Sequence, residues 1–119
     1  MKVFYPPYSR DQLIALLRER VSAFGDVLPL RQMTLFGSWA SGRATAFSDI
    51  DLLVIYKGAT RADAYELIRR LVALRGLEPH VYSEAEAESM GDTLDRMTAG
   101  GVPLFPATES TQTARAPAD

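Results

Sequence analysis

Residues 37–51 read GSWASGRATAFSDID, and the apolar run LLVIY follows directly at 52–56. Asp49 and Asp51 stand two residues apart at the start of a predicted strand. Because strand side chains alternate between the two faces of a sheet, both carboxylates are expected on one face. Two carboxylates held this close repel each other unless a cation lies between them. Mg²⁺ with a phosphate-bearing substrate is the usual cation at an oxygen-only site, so the pattern predicts metal-assisted chemistry on a nucleotide.

The Gly-Ser pair that opens this stretch has two interpretations. Gly37 and Ser38 could offer backbone N–H groups and a hydroxyl to phosphate oxygens. They could equally form a turn from strand to helix, with Ser38 as the N-cap, and both roles can coexist because a helix N-terminus attracts anions. For Asp49 the alternative is a turn at the strand entry. That alternative leaves Asp51 unexplained, because a carboxylate facing inward beside an apolar strand is costly unless it is paired or metal-bound.

Composition excludes several classes of site. The 119 residues fit one domain, and 47% hydrophobic with 24% charged residues is typical of a globular protein. The formal net charge of −2 provides no basic field, so nucleic-acid binding is not expected. The absence of cysteine excludes disulfides and thiolate sites, and a single histidine excludes a multi-histidine metal cluster. No stretch resembles a signal peptide or a membrane span, which favours a cytoplasmic protein without a membrane contact.

Helix signals occur between the apolar runs. Ser9 with Gln12 and Ser83 with Glu86 form capping-box patterns, and Thr60 with Asp63 also indicates a helix start. Gly91 is expected to divide the helix after Ser83 in two, and the glycines at 100–101 stop it. The predicted helices cover residues 9–25, 39–43, 60–76 and 84–99.

Four strands are predicted at residues 30–36, 50–56, 77–82 and 102–105. The second is apolar throughout and is expected to lie centrally, covered on both faces, with the third beside it. The last is a short edge strand or a terminal extension. Alternating helices and strands predict an α/β fold with a small mixed sheet packed by helices, in one domain over residues 1–105. Residues 106–119 lack any large apolar residue and are predicted to be disordered.

The motif at residues 37–51 resembles the signature of the DNA polymerase beta-like nucleotidyltransferase superfamily: Gly-Ser, ten residues, then Asp-x-Asp. The wider run, GSxAxG through SDIDL, is similar to the smallest members, the minimal nucleotidyltransferases. The resemblance extends in element order over residues 9–105 and implies the polymerase beta-like fold. Relatives often carry arginine at two places that here hold Trp39 and Ser41. This departure leaves Arg43 as the candidate that neutralises a bound triphosphate together with Gly37 and Ser38.

The resemblance also implies a third carboxylate on the strand next to Asp-x-Asp. Similar family members carry an acidic residue, an apolar residue and a histidine there, which matches Glu78-Pro79-His80. The alternative is a surface glutamate in a loop, which a proline inside a strand would favour. His80 is expected to share the face of Glu78, as a structural or outer-shell residue in preference to a base.

By resemblance, the expected activity is transfer of AMP from ATP to a hydroxyl, with release of pyrophosphate. Two Mg²⁺ ions would be held by Asp49, Asp51 and Glu78, with Glu78 as an alternative general base. Minimal members typically act as the antitoxin of a helical HEPN-domain toxin, which implies a toxin tyrosine as the acceptor. A homo- or hetero-oligomer is compatible with the amphipathic first helix.

Two other hypotheses stay open from the sequence alone. The first is a degenerate domain that neutralises its partner by binding alone, which the departures at Trp39 and Ser41 favour and the intact Asp-x-Asp pair disfavours. The second is self-modification at Tyr5, Tyr8 or Tyr56. Transfer of label from ATP distinguishes all three hypotheses.

Overall fold

A four-stranded mixed sheet is the centre of the fold in the computed structural model, which describes residues 7–106. The strands are β1 (Leu30–Phe36), β2 (Ile50–Tyr56), β3 (Leu77–Ser83) and β4 (Val102–Phe105). They lie in the order β3-β2-β1-β4, with β1 antiparallel to β2 and β4, and β2 parallel to β3. The predicted strands are confirmed, including the central place of β2 and the edge position of β4.

Five helices cover the sheet in the described part of the chain. They are α1 (Arg10–Val21), α2 (Ser38–Ser41), α3 (Ala64–Val72), α4 (Glu84–Ser89) and α5 (Thr93–Met97). The capping boxes at Ser9 and Ser83 are present, and the break at Gly91 separates α4 from α5. Between residues 7 and 106 no helix is long and apolar enough to cross a membrane. Of residues 106–119, which are predicted to be disordered, those from 107 onward lie outside the described range.

From Leu52 to Tyr56 the side chains of β2 alternate between two apolar clusters, which is why this part of the strand is apolar throughout. Leu52 and Val54 join the larger cluster with residues of α1 and α3, such as Leu13 and Ile68. Leu53 and its neighbours on the opposite face form a smaller cluster with α5. Burying a leucine completely stabilises the fold by about 2 kcal/mol, so both faces contribute to holding β2 in place. The prediction that β2 is covered on both faces is confirmed.

The first helix ends earlier than predicted. It ends at Val21, with Ser22 as its C-cap, and the chain continues in turns instead of helix to residue 25. Phe24 is nonetheless 1% exposed, because a turn places its ring in the core. The helical spacing of the apolar residues therefore continued beyond the helix, and the predicted end was wrong.

The predicted start and end of the third helix are also wrong. Asp63 occupies the N-cap position without a capping hydrogen bond, because its carboxylate accepts from Arg61. Thr60 contacts the Ser83 hydroxyl, at 3.1 Å between the two oxygens, and caps nothing. The helix stops at Val72 because Ala73 adopts a left-handed conformation with φ of 55°.

The two capping boxes differ in burial, which gives a matched pair of variants. Ser83 is fully buried and accepts from the Glu86 backbone N–H at 3.2 Å, whereas Ser9 is exposed and accepts from Gln12 at 3.1 Å. We expect Ser83→Ala to lower the free energy of unfolding by about 2 kcal/mol and Ser9→Ala by about 1 kcal/mol. Urea denaturation measures both values. Equal losses would contradict the argument from burial.

Candidate active site

Three of the predicted site residues, Gly37, Asp51 and Glu78, lie at one end of the sheet. Because β1 is antiparallel to β2 and β2 is parallel to β3, the end of β1 lies beside the beginnings of the other two strands. Phe36 pairs in register with Asp51, and Asp51 pairs with Glu78. Gly37 follows Phe36 directly, so the Gly-Ser turn lies at the same end. The topology brings together groups as far apart in the sequence as Phe36 and Glu78.

Asp51 lies against the Gly-Ser turn. A Cβ atom added to Gly37 would stand 2.4 Å from Oδ2 of Asp51, so only a glycine leaves room for this carboxylate. Gly37 also has φ of 79° and ψ of −154°, a backbone conformation that is essentially restricted to glycine. The Asp51 side chain is 27% exposed. Gly37 of the Gly-Ser pair therefore provides the space that the carboxylate of Asp51, in the Asp-x-Asp pair, occupies.

Glu78 stands on β3, in register with Asp51 and exposed. Neighbouring strands lie about 4.8 Å apart and register partners project to one face, so the two carboxylates are close neighbours. The alternative of a glutamate in a loop is therefore wrong. Pro79 is compatible with a strand because β3 is an edge strand, where a missing N–H can face away from the sheet.

His80 contacts Asp51 directly. Its Nε2 atom is 3.4 Å from Oδ1 of Asp51, and its side chain is 31% exposed. The ring of Phe36 lies on the imidazole with 5.0 Å between centroids and a tilt of 59°. The expectation that His80 shares the face of Glu78 is confirmed by its position two residues along the same strand. Sequence reasoning did not find Phe36, although its place just before the Gly-Ser turn was a usable signal.

Asp49 precedes β2 and is exposed. It lines a cavity of about 150 Å³ together with Tyr8, Trp39 and Arg75. The loop before it is held by Ser48, whose hydroxyl accepts from a backbone N–H at 2.8 Å. The sequence did not place Tyr8 or Arg75 beside Asp49, because both come from segments far from the motif; Tyr8 was considered only as an acceptor of self-modification.

The short helix α2 carries Trp39 and Ser41, the two positions at which the resemblance implies arginine. Trp39 is 4% exposed, and its ring lies 5.7 Å from that of Tyr8, so it is a core residue. Arg43 is exposed, and its Nε donates to the Ser41 hydroxyl at 3.1 Å. The guanidinium is thus tethered at one of the two places where relatives carry arginine. Ser38 is the first residue of α2 and Gly37 is the N-cap, so Ser38 is not the cap.

The carboxylates suit Mg²⁺ by their chemistry. Within residues 7–106 no group of three histidine, cysteine, aspartate or glutamate side chains is placed to hold a metal ion by itself. Magnesium usually binds one or two carboxylates and completes its coordination with substrate phosphates and water. Asp51 fits such a partial site, because Gly37 has no Cβ atom and so leaves space for the Asp51 carboxylate oxygen. Asp49, Asp51 and Glu78 acting together as metal ligands stay a prediction.

Comparison with known proteins bears on the family and the fold of the chain. The profile of the family described as Nucleotidyltransferase domain matches residues 14–99. A crystal structure of a candidate nucleotidyltransferase from Sulfolobus solfataricus is similar to the chain, with 22% identity and a TM-score of 0.51. The match covers 79% of this chain and 80% of that chain, and at this identity it shows the shared fold. No curated protein matches the sequence.

Proposed function

The chain belongs to the family of nucleotidyltransferase domains, and we propose that it transfers AMP from ATP to a tyrosine hydroxyl of a partner HEPN-domain toxin. Family membership supports nucleotide transfer in general. The nucleotide, the protein acceptor and the antitoxin role rest on the resemblance to minimal nucleotidyltransferases. The observation that carries the proposal is the placement of Asp51, held against Gly37 and in register with Glu78.

The proposed reaction is a displacement at the α-phosphorus of ATP. The acceptor oxygen forms a bond to this phosphorus while the bond to pyrophosphate breaks, and the hydroxyl proton passes to the Glu78 carboxylate. Gly37 and Ser38 hold the departing phosphates, and Arg43 neutralises part of their charge. Mg²⁺ bound by Asp49 and Asp51 would supply further charge neutralisation and a lower pKa of the attacking hydroxyl, and Glu78 would be a further metal ligand in the alternative to its role as base.

A protein acceptor is compatible with the exposure of the site. Asp49 and Glu78 are exposed, so a hydroxyl on the surface of another protein can reach them. Self-modification is less favourable at Tyr56, which is 2% exposed and whose hydroxyl accepts from the Arg61 backbone N–H at 2.8 Å. Tyr8 is partly buried against Trp39, and Tyr5 lies outside the described residues.

The direct test is an incubation with α-labelled ATP, Mg²⁺ and the protein product of the neighbouring gene, which we propose is the HEPN-domain partner. We expect label on the partner with the wild-type chain and none with the double variant Asp49→Asn, Asp51→Asn. Label on this chain alone would instead indicate self-modification. If neither protein is labelled but the partner is still inhibited, the chain acts by binding alone and the enzymatic proposal is wrong.

Arg43 provides a more specific prediction about ATP. Because its exposed guanidinium is tethered to Ser41 at the Gly-Ser turn, Arg43→Ala should raise the KM for ATP about tenfold, equivalent to about 1.4 kcal/mol, with a smaller effect on kcat. Arg70→Ala is the matched control, since Arg70 is an exposed arginine on α3. Steady-state kinetics with varied ATP distinguishes the two variants. A similar rise in KM for both would show a general effect of net charge.

A further inference from the structure

The Asp51 carboxylate has a different neighbour at each oxygen. Oδ2 lies against Gly37, where a Cβ atom would approach to 2.4 Å, and Oδ1 lies 3.4 Å from Nε2 of His80. The backbone turn therefore limits movement on one side and the imidazole limits it on the other. A carboxylate enclosed in this way keeps one orientation, whereas an unrestrained one rotates about its terminal torsion.

We infer that His80 is a positioning residue, which orients Asp51 for metal binding by donating a hydrogen bond from Nε2 to Oδ1. The inference rests on the metal site of the proposed function and adds to it a residue with a defined role. Hydrogen bonds to ligating carboxylates orient them, and losing such a partner typically lowers metal affinity by about 10- to 100-fold. The separation of 3.4 Å is long, as is common for such contacts before ligands bind.

The imidazole is itself held in place, which a positioning role requires. Phe36 lies on the ring of His80 in a tilted aromatic contact, with 5.0 Å between centroids. The two side chains come from strands on opposite sides of β2, since β1 carries Phe36 and β3 carries His80. Together they place the imidazole beside Asp51 on one face of three adjacent strands.

Metal binding can be measured without any reaction. In ¹⁵N-labelled protein, added Mn²⁺ should broaden the backbone amide signal of Gly37, which adjoins Asp51, at lower concentrations than that of Ser22 at the end of α1. We expect His80→Ala to raise the Mn²⁺ concentration at half-broadening about tenfold. His80→Gln should recover most of the wild-type value, because its amide nitrogen can reach the place of Nε2. Asp51→Asn should remove the selective broadening.

Val81→Ala is the matched control, because Val81 is the next residue on β3 and packs against the larger cluster on the other face. It should bind Mn²⁺ as the wild type does. The inference is overturned if His80→Ala binds as tightly as the wild type, if Val81→Ala is weakened equally, or if Gly37 is not selectively broadened in the wild type. Selective Mn²⁺ binding that depends on His80, without any transfer of AMP, would contradict only the proposed function.

Discussion

Asp51→Asn should reduce the rate of AMP transfer by at least about 1000-fold, which corresponds to about 4 kcal/mol of transition-state stabilisation. The carboxylate is enclosed by Gly37 and His80, and it stands beside Glu78 in register. An amide of the same shape fits this space but lacks the negative charge that a metal ion requires. Single-turnover measurements with labelled ATP test the expected loss.

The fold should tolerate this change, because the amide fills the same volume. We expect the free energy of unfolding to change by less than about 1 kcal/mol, since removing one of two neighbouring carboxylates also removes their repulsion. Asp26→Asn is the control, because Asp26 is exposed in the turns after α1. It should retain wild-type activity. If Asp51→Asn retains more than about a tenth of the wild-type rate, the carboxylate is not a metal ligand in the reaction.

Strand positions and capping boxes could be predicted from the sequence because their signals are local. After Asp51, β2 is a single apolar run whose members all find apolar neighbours, on one face or the other. The capping boxes need residues only three positions apart, as Ser9 and Gln12 show. Gly91 interrupts the helix pattern within a few residues. None of these features depends on where the rest of the chain lies.

Helix ends could not be predicted as well, since contacts between distant segments decide them. The hydroxyl of Thr60 lies near Ser83, more than twenty positions away, so it is unavailable as a cap. The side chain of Phe24 reaches the core from a turn, so the apolar pattern typical of a helix continued beyond the end of α1. Ala73 ends α3 in a conformation that an alanine rarely adopts, and no sequence rule anticipates it.

The candidate site, too, has features that the sequence could predict and features that depend on contacts between distant segments. The spacing of Gly37 and Asp51 along the chain was informative because the motif resembles a known family. The closeness of Phe36, Asp51 and His80 depends on the register of three strands, which a single sequence does not reveal. Trp39, where the resemblance implies arginine, packs in the core beside Tyr8, which the motif alone does not indicate.

Gly37→Ala should damage both stability and activity, because the added methyl group would overlap the space of Asp51. We expect the free energy of unfolding to fall by about 3 kcal/mol, from the glycine-only backbone conformation and the 2.4 Å approach to Oδ2. The Asp51 carboxylate must move to relieve this contact. A displacement of about 1 Å can cost about 100-fold in rate, so transfer by the folded protein should fall at least that much.

Gly42→Ala separates the effect of backbone strain from the effect of displacing Asp51. Gly42 has a positive φ like Gly37, but no side chain lies where its Cβ atom would be. Its φ is 78°, and a Cβ atom there would meet nothing within 4 Å. This variant should lose about 1 kcal/mol, the cost of a left-handed conformation, and keep transfer within about threefold of the wild type. Denaturation curves and rates measured at a temperature where both variants are folded give the comparison. Equal losses of rate would show that backbone strain, and not the displacement of Asp51, controls the site.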